Sequence, residues 1–133
     1  MKHANDIYPP MPTEAKIHDF DPEHPIPYVE SIDYISNCND GGLALALIIG
    51  RPLEADERST KRLAQKLKNY LGFIERQKAR HCGGTFRITA YINADSDEQA
   101  VARLMQHSVW FTRSCVDFVV KKMDRNKTPV LQI

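Results

Sequence analysis

The chain has 133 residues, 42% of them hydrophobic and 26% charged, with a formal net charge of +1 at neutral pH. A chain of this length is read as one domain able to bury about two thirds of its unfolded surface, and its apolar content excludes a disordered chain. There is no collagen-like or heptad repeat, and the longest apolar run, Leu43 to Ile49, is far short of the roughly 18 residues a membrane-spanning helix needs.

In chain order, the first 27 residues form an extended, acidic arm. Six of the eight prolines lie there (Pro9, Pro10, Pro12, Pro22, Pro25 and Pro27), and no helical or strand period survives them. The stretch Tyr8 to Pro12 reads as polyproline-like. The opening residues contain no apolar core of a secretory signal, so the expected setting is a reducing cytoplasm, where the three cysteines stay as thiols. Residues 28–124 are read as the single compact domain and 125–133 as a tail.

Within the domain, Tyr28 to Ser36 is rich in β-branched and aromatic residues and predicts a strand. Asn37 to Gly42 is dense in residues that tolerate a positive φ, which predicts a hairpin turn. Leu43 to Ile49 follows with both faces apolar, the pattern of an interior strand. Asp56 can cap a helix running to about Gln77, whose stripe is Leu63, Leu67, Tyr70, Leu71 and Ile74. Gly83-Gly84 reads as the stop of that region. Thr85 to Asn93 alternates Phe86, Ile88, Ala90 and Ile92 against Arg87, Thr89 and Tyr91, a strand with one apolar face. Ser96 and Gln99 form a capping box for a second helix to about Ser114, with Ala100, Val101, Leu104, Ser108 and Phe111 inward. Val116 to Lys122 is the last strand. The order ββαβαβ predicts an α+β fold, a four-stranded mixed sheet with two helices packed on one face, because two same-direction crossovers place their helices together.

The strand Val29-Glu30-Ser31-Ile32-Asp33 and the helix letters Leu63, Lys66, Leu67, Tyr70, Leu71, Phe73 and Ile74 resemble a group of small uncharacterised bacterial domains. These pair a "VDxI" strand with an "LxxKLxxYLxFI" helix. The resemblance spans residues 28–122 and implies a shared fold. It carries over no catalytic residues.

Cys38, Cys82 and Cys115 show no paired-ligand spacing, and His81-Cys82 forms only one cluster, so no metal and no cofactor is expected. Cys82 is the thiol that Arg80 and His81 could activate; Cys38 and Cys115 read as semi-buried. No nucleophile elbow or phosphate loop is present, and Asp95, Asp97 and Glu98 suit a helix N-terminus without any catalytic role. The expected function is therefore a non-enzymatic protein-interaction or self-association module, with a homodimer or another protein as partner.

Two further readings stand beside it. Residues 57–80 hold eight basic side chains against Glu57 and Glu75, a local balance of +6, whereas residues 1–35 carry −5. Arg58, Lys61, Lys68 and Arg76 fall on the outer side of the first helix. They could be a solvated face, an anion or nucleic-acid site, or the seat of the acidic arm in its own or a neighbouring subunit. With few aromatics beside them, nucleic acid ranks low. The third reading is a small-molecule or catalytic site on the open sheet face, where Arg87 and Tyr91 project together. Trp110, with Arg113 one turn on, falls outside the stripe of its helix and calls for a cover: the tail Pro129 to Ile133, the arm Ile7 to Pro12, or a second subunit.

Overall fold

The computed structural model describes residues 20–80 and 83–123. Its elements are β1 (Tyr34–Asn37), β2 (Leu43–Ile49), α1 (Glu57–Gln77), β3 (Phe86–Asn93), α2 (Glu98–Arg113) and β4 (Val116–Met123). They build one four-stranded mixed sheet in the order β1-β2-β3-β4, with β1 antiparallel to β2 and the other two pairings parallel. This is the α+β fold and the ββαβαβ order expected from the periods. Leu45, Leu47, Ile49, Ile88, Ala90 and Ile92 are at most 2% exposed and form one core with Leu63, Leu67, Ile74, Leu104 and Phe111 of the helices. The opposite face of the sheet carries neither helix.

The helix α1 begins and ends where its sequence says. Asp56 adopts extended geometry and its carboxylate accepts from Ser59 N at 3.2 Å, satisfying an otherwise orphaned donor. Six of the seven helix letters behind the family resemblance are buried (Leu63, Lys66, Leu67, Tyr70, Leu71 and Ile74), and Phe73 is half-buried. Helix α2 is capped one residue later than the capping box suggests. Asp97, not Ser96, accepts from Gln99 N, at 2.8 Å, because the Ser96 hydroxyl is taken by Leu53 N across the core at 2.9 Å.

The first strand is shorter than expected: β1 covers Tyr34–Asn37, and residues 28–33 lie outside the sheet. Two contacts end the ladder. The Asp33 carboxylate accepts Ile48 N at 2.9 Å, occupying the donor that a longer β1 would have used. The segment before it is drawn to α1 instead. Arg62 donates to the carbonyls of Ile26 and Pro27, Lys66 to Tyr28 and Asn69 to Val29, four consecutive acceptors served from one helix face. Ile26 and Val29 are 2% and 1% exposed, so the packed domain starts earlier than Tyr28 and takes in the last residues of the proposed arm. The arm before Phe20 and the tail after Met123 lie outside the described residues.

The glycine pairs divide their roles. Gly41, at φ +93°, makes the hairpin turn as expected, with Cys38 N donating to Gly42 O at 2.9 Å. Gly83-Gly84 does not stop α1, which ends at Gln77 six residues earlier. Gly84 abuts the hairpin instead: a Cβ there would lie 2.6 Å from Gly41 C and Gly42 Cα, so the two loops meet backbone to backbone.

Candidate functional site

The sheet face that carries neither helix is built by alternation. Strand pairing aligns Ser36, Ala44, Arg87 and Asp117 in one row across the four strands, and Tyr34, Ala46, Thr89 and Val119 in the next. Ile48, Tyr91 and Lys121 make a third row on the three longer strands. Small residues on β2 leave a trough of about 560 Å³ whose walls include Tyr34, Arg87, Tyr91 and Lys121. Its far end is closed by Asp40, whose carboxylate accepts from Thr85 Oγ1 at 2.7 Å and Gly42 N at 2.9 Å. Those bonds, the Thr85 hydroxyl first, hold the Asp40 carboxyl below its ordinary range. Arg87 and Lys121 make no ion pair among the described residues. Arg87, Thr89 and Tyr91 therefore do share a surface, as their alternation on β3 indicated, whereas Tyr34 and Lys121 join it only through the strand order.

The basic residues of α1 are largely engaged. Arg58 pairs with Asp21, a contact between the described end of the acidic segment and the helix of its own chain; the segment before Phe20 lies outside the described residues. Lys61 pairs with Glu57 at 3.3 Å and Lys78 with Glu75 at 3.3 Å. Lys66 is 2% exposed and bonds Asp33 at 2.8 Å, so it belongs to the core and not to a solvated stripe. Lys68 and Arg76 line a second hollow of about 470 Å³ with Glu30, Ile32 and Phe73, where burial lowers the Lys68 pKa.

Trp110 is half-buried and packs on the margin of the core, its ring meeting His107 edge-on at 4.7 Å. Arg113 is exposed in the last turn of α2. Neither comes near Arg87 and Tyr91, which sit on the sheet face away from the helices. The tail and the arm offered as covers for Trp110 lie outside the described residues, as do His81 and Cys82. Cys38 is half-buried, but Cys115 is exposed, not semi-buried: it takes the left-handed turn, φ +61°, that links α2 to β4.

One cluster resembles a hydrolytic arrangement and differs from it in order. His24 Nδ1 accepts from Ile26 N at 2.9 Å, which puts the ring proton on Nε2, 3.0 Å from Ser59 Oγ. Ser59 then donates toward Asp56, whose pKa that bond lowers. Histidine is thus a donor to the serine rather than its base, so Ser59 is not activated. Burial, followed by the Arg62 charge, lowers the pKa of His24 from 6.5. The unfolded chain binds this proton more readily than the folded one, so stability is complete above pH 6.5 and falls as pH drops below that value. A chemical-denaturation series from pH 7.5 to 5 should show this slope. His24→Asn, which keeps an acceptor for Ile26 N, should flatten it.

Among the described residues, no three His, Cys, Asp or Glu side chains gather as a metal site, and no helix is long and apolar enough to cross a membrane. No protein-family model and no curated protein matches the sequence. Among solved structures, the toxin and immunity complex CdiA-CT/CdiI from Yersinia pseudotuberculosis is similar at 12% identity and a TM-score of 0.40, over 85% of this chain and 99% of that one. A likeness at that level carries no argument about function.

Proposed function

We propose that this chain is a protein-binding module without catalytic chemistry of its own, and that the sheet face carrying neither helix is its contact surface. The observation that carries the reading is a sheet that, among the described residues, carries helices on one side only, its other side a trough bordered by Tyr34, Tyr91 and Arg87. Tyrosine and arginine dominate the energetics of protein interfaces, because they bring large contact area together with directed hydrogen bonds. The α1 stripe supports an anion or nucleic-acid role less well, since Arg58, Lys61, Lys66 and Lys78 already hold carboxylates of this chain. A small-molecule ligand is the second reading, favoured by a volume within the range of roughly 300–1,000 Å³ typical of such sites. A metabolite that raises the melting midpoint, with the rise lost in Arg87→Glu, would support it.

The test of the first reading compares partners captured by the wild-type chain, by a Tyr34→Ala/Arg87→Glu/Tyr91→Ala variant, and by a Lys61→Glu/Arg76→Glu helix variant. A partner identified by mass spectrometry and purified should bind the face variant at least about 30-fold more weakly, the loss expected from hot-spot truncation, and the helix variant normally. Equal binding to wild type and face variant refutes the reading.

A further inference from the structure

We propose that two copies of this chain pair through the outer edge of β4, antiparallel about a two-fold axis, with Val119 opposite Val119 of the second copy. The pairing uses the edge of the sheet rather than its trough and stands independently of the reading above.

The first observation is the edge itself. β4 is eight residues long and pairs only with β3 among the described residues, so its other side presents a row of backbone donors and acceptors. Its phase follows from one contact: the Met123 carbonyl accepts from Ala94 N at 2.8 Å, on the β3 side. Backbone groups alternate in direction along a strand, so the odd-numbered residues of β4 turn toward β3 and the even-numbered ones outward. An antiparallel partner must therefore set even residues against even residues.

The second observation selects the register. With Val119 opposite itself, Phe118 faces Val120 and Val116 faces Lys122 of the second copy as hydrogen-bonded pairs, which satisfies the outward groups. On the face that carries the trough, Asp117 then stands opposite Lys121 of the second copy, and Lys121 opposite its Asp117. These two side chains are exposed and make no ion pair among the described residues. Between them lie the two copies of Val119, each 44% exposed in the single chain. The other in-phase registers lose this match. A shift of two residues sets Asp117 against Val119 or Met123, and a shift of four brings Lys121 against Lys121 or Asp117 against Asp117. Lysines on an edge ordinarily discourage pairing, but here a carboxylate of the same strand answers Lys121. Strand pairing of this length buries little surface, so the dimer is weak and concentration-dependent.

The dimer would join the two sheets into one of eight strands and place the two troughs side by side on a common face. Its test is sedimentation equilibrium of the full chain over a concentration series at low salt. Wild type should dimerise. Asp117→Lys and Lys121→Asp should each weaken the dimer about tenfold or more, because two attractive pairs become repulsive at once. The double variant Asp117→Lys/Lys121→Asp should restore it to within about threefold of wild type, the pairs having only exchanged signs. Melting curves of all three, recorded at concentrations too low for dimerisation, should match wild type, since both positions are exposed in the monomer. Arg87→Glu should leave the dimer intact. A monomeric wild type, a dimer indifferent to Asp117→Lys, or a double variant no better than the singles overturns the proposal. A dimer broken by Arg87→Glu alone also overturns it and places self-association on the trough instead.

Discussion

Asp33→Ala is expected to destabilise the protein by about 3–5 kcal/mol, the usual result of leaving a buried charge without its counter-ion. Lys66 is 2% exposed and its ammonium is held by the Asp33 carboxylate at 2.8 Å and by the Tyr28 carbonyl. Removing the carboxylate strands that ammonium and also frees Ile48 N, which Asp33 caps at 2.9 Å. The partners are not equivalent. The Asp33 side chain is 19% exposed, so it can turn to water when Lys66 is replaced by methionine, whose stem fills the same space. Lys66→Met should therefore cost less than Asp33→Ala, by urea denaturation of both variants. A loss below about 1 kcal/mol for Asp33→Ala would mean that the ammonium escapes to solvent, and the pair would not be the fixture described above. Tyr70 belongs to the same network: its hydroxyl donates to Ala46 O at 2.6 Å and accepts Asp33 N at 2.9 Å. Burial and then the Asp33 charge push its pKa well above the ordinary phenol range, so the bonds persist at alkaline pH.

Leu67→Ala should cost about 2–5 kcal/mol, the transfer free energy of the removed methyl groups plus that of the space they leave. Leu67 is 0% exposed in the middle of α1, with Leu63, Tyr70, Leu71 and Ile74 buried around it. The denaturation midpoint should fall while the slope stays as in wild type, because the surface exposed on unfolding hardly changes. Met105→Ala is the control. At 56% exposure on α2 it should stay within about 0.5 kcal/mol. Equal effects at the two positions would show that Leu67 lies in a region able to collapse around the gap.

The elements readable in the sequence are those whose partners repeat at short range. β2 is apolar on both faces over all seven residues, and Asp56 announces α1 ahead of a stripe that holds for about three turns. What misled was a donor or acceptor satisfied from far away. Val29 and Ile32 have a strand's composition, yet Lys66 and Asn69, more than thirty residues on, take the carbonyls of Tyr28 and Val29. Ser96 looks like a cap until Leu53 N, 43 residues earlier, claims its hydroxyl. Lys66 could have been placed from sequence, since position 66 falls between Leu63 and Tyr70 on the buried stripe. Its charge was the distraction. At the candidate surface, Arg87 and Tyr91 follow from alternation on β3 alone. Tyr34 and Lys121 needed the order of four strands, which depends on crossovers that no local pattern encodes.

The way residues 26–29 are held bears on which sequences could replace this one. Their bonds to α1 use main-chain carbonyls, and every amino acid supplies the same carbonyl. The donors, by contrast, are the side chains of Arg62, Lys66 and Asn69, whose length and charge set where each bond falls. A randomised library should accordingly accept many residues at Pro27 and Tyr28, provided the chain stays extended, and few at Arg62, Lys66 and Asn69. The polar half of the contact is written in the helix, so the letters at Pro27 and Tyr28 can drift while Ile26 and Val29, which lie in the core, stay apolar.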